Sequence, residues 1–297
     1  MRFDAWGMTL TPNWKRWFAL ALLGWACVAT AYPVSDDRGV VLELQRPPQR
    51  IVTLLPSLTE TVCALDACAR LVGVDSFSNW PDSVRGLPHV GGVEDASIET
   101  IVSLKPDLVL LSSTSRALSR LEALRIPVFG IDVKTVADVH RALSNVGRLL
   151  GTTRGEAVSA QIEAGITEVA RQLPDSARGV SVYFEVASGP YAASESSHIG
   201  EILTRLGAVN IVPGQLGSVP RLNPEFIVRA DPQLIVISRR EAASLRTRPG
   251  WPRIRAVREG RVCALDPQQG DIIARPGPRL VQAASLLARC LQMKAAP

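Results

Sequence analysis

The segment Glu99 to Ser112, ETIVSLKPDLVLLS, recurs as Glu225 to Ser238, EFIVRADPQLIVIS, with glutamate, Ile-Val, proline, apolar run and serine at the same offsets. The chain is therefore built twice. Each copy opens with a helix-start signal: Ser97 stands two places before the first glutamate, and Asn223 two before the second, with Pro224 at the first helical position. A short helix, a proline stop and an unbroken apolar run follow, Leu108 to Leu111 or Leu234 to Ile237. Such a run suits a parallel strand covered on both faces. The spacing between copies is that of a domain, not of a solenoid repeat, so two α/β lobes facing a common cleft are expected.

Strand and helix signals alternate on either side of the repeat, which implies parallel sheet. Arg50 to Leu55 reads as the first strand, and Ser57-Leu58-Thr59-Glu60 as a capping box opening the first helix. Between the halves, Val158, Ile162, Ile166, Val169 and Leu173 recur at helical spacing up to Pro174. This predicts a single rigid linking helix. The expected organisation is a signal peptide over 1–31, a leader over 32–49, an N-terminal lobe over 50–152, the linking helix over 153–174, and a C-terminal lobe over 175–297.

The signal-peptide reading rests on Lys15-Arg16 ahead of the apolar stretch Trp17 to Val28, then Ala29-Thr30-Ala31. That stretch is shorter than the roughly 20 residues of a membrane span. A periplasmic destination follows, with a lipid anchor on Cys27 the lesser alternative. The net charge of +5 includes Arg2, Lys15 and Arg16 against Asp4, so cleavage brings the chain closer to neutrality. The remaining basic residues are scattered without interleaved aromatics, and no nucleic-acid partner is expected. Cys63, Cys68, Cys263 and Cys290 fall two to each half. In an oxidising compartment they are disulfide candidates within each lobe, with buried free thiols and a metal site as alternatives. Cys63 and Cys68 can meet only if the helix ends between them.

In open parallel sheets ligands sit beyond the carboxyl ends of the strands. That rule selects Pro56, Ser57, Phe77, Trp80, Ser112, Phe184, Tyr191, Ser238 and Asp271 as cleft candidates, with Phe184 more in keeping with a core. Arg275 either contacts ligand or pairs with Asp271. His89, His140 and His198 are the only histidines, too few for a receptor of free transition metal. His140 reads as surface, while His89 and His198 lie on loops that could face the cleft. No G-x-S-x-G, phosphate loop or His/Glu metal signature occurs, so an enzyme is not expected.

The ordered strings RIVTLLPSLTETV, VGVDSFSNWP, LPHVGG, IVSLKPDLVLL, LNPEFIVRADPQLIVIS, VREGRV and RPGPRL resemble the periplasmic solute-binding proteins of ABC importers for cobalamin, ferric siderophores and haem. The resemblance spans about residues 48–292 and is nearest to the cobalamin branch. It implies two α/β lobes bridged by one helix, a monomer without resident cofactor, a metal-chelate ligand and a membrane permease dimer as partner. By motif position Phe77 replaces a pocket tyrosine and Tyr191 a pocket phenylalanine. Val93, Ser112 and Val219 stand where that branch has tryptophans. The resemblance further implies that Glu99 and Glu225, one per lobe, dock on arginines of the two permease subunits.

Overall fold

A computed structural model of the chain describes Met1 and residues 32–293. The expected signal peptide and Cys27 lie outside the described residues. The first lobe runs β1 (Tyr32–Ser35), β2 (Val41–Leu44), β3 (Ile51–Thr53), α1 (Pro56–Ala64), β4 (Leu71–Val74), α2 (Ile98–Ser103), β5 (Leu108–Leu111), α3 (Leu118–Ala123), β6 (Val128–Gly130) and α4 (Val136–Leu150). Next comes α5 (Arg154–Gln172). The second lobe runs β7 (Ser181–Ala187), β8 (Tyr191–Ala192), α6 (His198–Arg205), β9 (Val209–Asn210), α7 (Pro224–Ala230), β10 (Leu234–Ser238), α8 (Arg239–Ala242), α9 (Arg255–Arg258), β11 (Val262–Leu265), α10 (Pro267–Ala274) and α11 (Leu280–Leu291).

The repeat extends to topology. The first sheet has the order β4-β3-β5-β6, and the second β9-β7-β10-β11, all parallel, with β8 added antiparallel to β7. Each lobe therefore places its second parallel strand, β4 or β9, outside its first, β3 or β7, and continues in the other direction. The order reverses between β3 and β5 in one lobe and between β7 and β10 in the other. Even the backbone matches: Lys105 and Asp231, each directly before the proline of its copy, are left-handed with φ 47° and 44°. Ser97 caps α2 by accepting from Thr100 N, and Asn223 caps α7 by accepting from Glu225 N.

Alternation along the strands divides the interior into three cores. Val52, Val109 and Leu111 face the outer core of the first lobe, with Ile101 and Leu121. Tyr183, Ile235 and Ile237 face that of the second, with Ile227 and Trp251. The opposite faces, Ile51, Leu108 and Leu110 in one sheet and Val182, Leu234 and Val236 in the other, belong to a single core that runs through both lobes. Helix α5 bridges it, packing Val158, Ile162 and Ile166 among α4, α6 and α11. The α5–α11 approach requires glycine, because a methyl on Gly165 would come within 2.6 Å of Val281 Cγ2.

Several expectations need correction. Residues 32–49 are more than a lead-in, since the β1–β2 hairpin buries Val34 in the shared core and Asp36 accepts from the amide of Gly130 at 3.1 Å. The capping box at Ser57 does not form. Helix α1 starts at Pro56 with Leu55 as an uncapped N-cap, Ser57 lies inside the first turn, and Glu60 turns away from its own helix. Asp271, selected as lying beyond a strand end, belongs to a further helix, α10. That helix is announced by Asp266-Pro267-x-Gln269, a complete capping box with proline at its first position. His198 does not face the cleft as a free ligand: it is buried, with Nε2 on Ile273 O at 2.9 Å. His140, on the helix face expected to be surface, is half-buried with Nε2 on Glu163 at 2.7 Å.

Both cysteine pairs are bridged, Cys63 to Cys68 and Cys263 to Cys290. Helix α1 ends at Ala64, and Asp66 adopts a left-handed φ of 61°, which turns the chain back within bridging distance.

Candidate functional site

The carboxyl ends of β3, β5 and β6 open on a cavity of ≈ 330 Å³ between the lobes. Its apolar wall comes from Leu55, Leu58, Val93, Ile131 and Val133, with Pro276 of the second lobe opposite. Ser57, Ser112, Thr114, Asp132 and Lys134 supply the polar groups. Ser112 Oγ donates to Asp132 Oδ1 at 3.0 Å, and the amide of Ser113 donates to the same oxygen. This carboxylate is thus fixed at the rim. Lys134 is exposed and makes no ion pair among the described residues. Its carbonyl accepts from His198 N at 2.7 Å, which ties the loop after β6 to the start of α6 in the other lobe. Asp132 and Lys134 went unselected in the sequence, although the rule that picked Ser112 after β5 applies equally to the end of β6.

Of the expected site residues, Ser57 and Ser112 line this cavity. Trp80 and Asp271 line a second inter-lobe cavity of ≈ 250 Å³ with Asn79, Arg85, Gln268 and Arg279. Phe77 and Tyr191 line neither; they are exposed by 69% and 41%, large values for aromatic rings. Phe77 flanks the first cavity, since a methyl on Gly92, the neighbour of Val93, would meet its ring at 3.5 Å. Tyr191 pairs with Ala187 and Arg221 in the second lobe. Pro56 begins α1 without entering the wall. Phe184 is core, and Ser238 caps α8 through Glu241 N.

Beside the cavities, Glu60, Arg275 and Arg279 form a buried charge cluster across the seam. Glu60 of α1 is 2% exposed. Its Oε1 accepts from Arg275 Nη1 at 3.0 Å and Arg279 Nη2 at 2.5 Å, and its Oε2 from Arg279 Nε at 2.8 Å. Both arginines belong to the second lobe, at the end of α10 and the start of α11. The pairing of Arg275 with Asp271, one of two expected alternatives, is also present at 2.7 Å. A carboxylate buried this deeply requires such partners, because an unpaired charge there costs several kcal/mol.

The loop after β4 is held from below by a chain of hydroxyls. Thr53 Oγ1 meets Thr59 Oγ1 at 2.6 Å, Thr59 meets Ser78 Oγ at 2.7 Å, and Ser78 bonds Asp75. Asp75 also accepts from Phe77 N at 2.8 Å. Burial pushes the Asp75 carboxyl above its ordinary range, against the opposing pull of these hydrogen bonds and of Arg275.

Two lobes with matching open sheets, one cleft across their strand ends and a core running through both define a two-lobed binding protein. Residues 51–269 match the family described as periplasmic binding protein, and the chain belongs to that family. It is 28% identical over 273 residues to the ABC transporter substrate-binding lipoprotein YvrC of Bacillus subtilis, covering 87% of this chain and 84% of that protein. It is 32% identical over 220 residues to a cobalamin-binding protein of Halobacterium salinarum, covering 70% of this chain and 59% of the relative. The crystal structure of a periplasmic haem-binding protein from Pseudomonas aeruginosa superposes with a TM-score of 0.72 at 26% identity, over 84% of this chain and 95% of the other.

Proposed function

We propose that the protein is the substrate-binding component of an ABC importer and that its inter-lobe cleft takes a corrinoid, which it delivers to a membrane permease. The observation that carries this reading is the cleft itself: an apolar wall with a few polar groups, flanked by the exposed ring of Phe77, beyond the strand ends of a chain with named cobalamin-binding relatives. Flat macrocycles bind by laying apolar faces on such walls while a small polar set fixes orientation. A macrocycle larger than the cavity keeps an outer edge in solvent. Haem or a ferric chelate is the alternative, favoured by the likeness to the Pseudomonas structure and by the absence of tryptophan at Val93, Ser112 and Val219. Calorimetric titration with cyanocobalamin, hemin and ferric siderophores tests the reading. One-to-one binding of cyanocobalamin without chemical change is expected. Binding of hemin or a ferric siderophore alone transfers the assignment to the alternative, and no binding below millimolar concentration defeats both.

Docking on the permease is assigned to Glu99 and Glu225. Both are exposed in the first turns of α2 and α7, equivalent positions in the two lobes. Each carboxylate also favours its helix dipole by about 0.3–1 kcal/mol, which accounts for a single glutamate without any partner. Charge reversal at both, Glu99→Arg with Glu225→Arg, should abolish permease-dependent uptake while leaving ligand affinity nearly unchanged. Normal uptake by the double variant would rule the role out.

A further inference from the structure

Phe77 and Trp80 stand on a loop of the first lobe, yet much of what fixes that loop comes from the second. Arg275 is 8% exposed and uses all four of its Nη donors. Nη1 reaches Glu60 Oε1 at 3.0 Å and Asn79 Oδ1 at 2.8 Å; Nη2 reaches the carbonyl of Phe77 at 2.9 Å and Asp271 Oδ2 at 2.7 Å. Asp271 in turn accepts from Asn79 Nδ2 at 3.0 Å. Arg279, held by Glu60, lies over the Trp80 ring at 5.4 Å. One planar guanidinium thus grips the loop at Phe77 and Asn79, on either side of Ser78, while a second stacks on its tryptophan.

We propose that Arg275 is a positioning residue for ligand binding: from the second lobe it sets the loop of the first lobe that presents Phe77 and Trp80, through the cluster with Glu60 and Arg279. It rests on the reading of the inter-lobe cleft as the ligand site. The first lobe holds this loop through Asp75, Ser78 and the Thr59–Thr53 hydroxyls, through Ser76 N on the Gly91 carbonyl at 2.9 Å and through Arg85 Nε on the Asn79 carbonyl at 3.1 Å. The Phe77 carbonyl and the Asn79 side chain are held across the seam. The aromatic edge of the cleft is consequently a joint product of both lobes. A lysine cannot substitute, because one ammonium on a flexible stem cannot serve Glu60, Asn79, Asp271 and the Phe77 carbonyl together.

The test uses 5-fluorotryptophan incorporated into the full chain and read by 19F NMR, with the Trp80 and Trp251 resonances assigned by their loss in Trp80→Phe and Trp251→Phe. In Arg275→Met the Trp80 resonance should shift and broaden, while that of Trp251, buried against Tyr183 in the outer core of the second lobe, stays in place. Arg275→Lys restores the charge and should leave Trp80 displaced. For whichever of cyanocobalamin or hemin binds the parent protein, affinity should fall about tenfold or more in both variants, since charged hydrogen bonds holding the loop are lost. Should Arg275→Met fail to fold, Arg275→Lys carries the same expectation. An unmoved Trp80 resonance in a folded variant overturns the proposal, as does recovery of the parent spectrum and affinity by lysine. If neither probe binds the parent protein the ligand reading fails, and the Trp80 resonance still decides whether Arg275 positions the loop.

Discussion

Each lobe buries one glutamate almost completely, Glu60 in the first and Glu185 in the second, and the two are satisfied in opposite ways. Glu185 finds everything at home. Tyr183 Oη donates to it at 3.0 Å, Arg248 forks onto it at 2.7 and 2.9 Å, and Arg248 also holds Glu241 and lies over Trp251. Among the described residues Glu60 has no cation of its own lobe and takes both from the other. Glu185 is satisfied within its own lobe, whereas Glu60 and Arg279 are completed by each other across the seam. Equivalent topology therefore does not make equivalent units, and the asymmetry lies at the seam between the lobes.

The largest effect that could break this comparison comes from removing the two glutamates in turn. Glu60→Ala strands the buried guanidinium of Arg279 and leaves Arg275 with Asp271 as its carboxylate, and unfolding free energy should drop by roughly 3–5 kcal/mol. Glu185→Ala should cost less, because Arg248 retains Glu241 at 2.9 Å. Hydrogen exchange should rise in α1, α10 and α11 together for the first variant and only within the second lobe for the other. Exchange confined to one lobe in both would erase the distinction.

The disulfides come next. In the chain-entropy account the Cys263–Cys290 bridge, with a separation of 27 residues, is worth about 3.5 kcal/mol, and Cys63–Cys68, with a separation of 5, about 2 kcal/mol. Paired serine variants assessed by urea denaturation should preserve that order. The reverse order would mean that native packing around α1, not loop length, governs the shorter bridge.

The smallest effect is a pair of opposed pH slopes. Burial holds the His198 imidazole below its usual 6.5, so the unfolded chain takes up the proton first and stability should fall as pH drops through about 6.5. Asp75 is displaced upward from 3.8; the native state keeps that proton longer, and stability should fall as pH rises through the interval above 3.8. His198→Gln and Asp75→Asn should each flatten one slope in the pH dependence of Tm. A slope that survives its substitution belongs to another group.

Much of the architecture was legible because it rests on local pattern. The duplicated helix-proline-strand unit, the apolar strands and the periodicity of α5 are one-dimensional signals, and each leaves its mark in the fold. The site was legible only up to strand ends. Position after a strand found Ser57 and Ser112, and it could have found Asp132 and Lys134. It could not reveal that Glu60 reaches across the seam: Ser-x-x-Glu ahead of an apolar run favours a local cap, and only the tertiary presence of Arg275 and Arg279 offers the carboxylate something stronger. Helix α10 was missed for a plainer reason, since its capping box lay unread behind a strand ending.

The core shared by both sheets also fixes an order of events. Synthesis delivers α1, with Glu60, long before Arg279 and α11, which are among the last described residues of the chain. Until α11 docks on α5, Glu60 lacks the Arg279 counter-ion and the part of the shared core between α5 and α11 stays open. The buried carboxylate of the first lobe thus waits on the last helix, and the unpaired apolar faces of α5 and α11 are what a folding helper would recognise in the meantime.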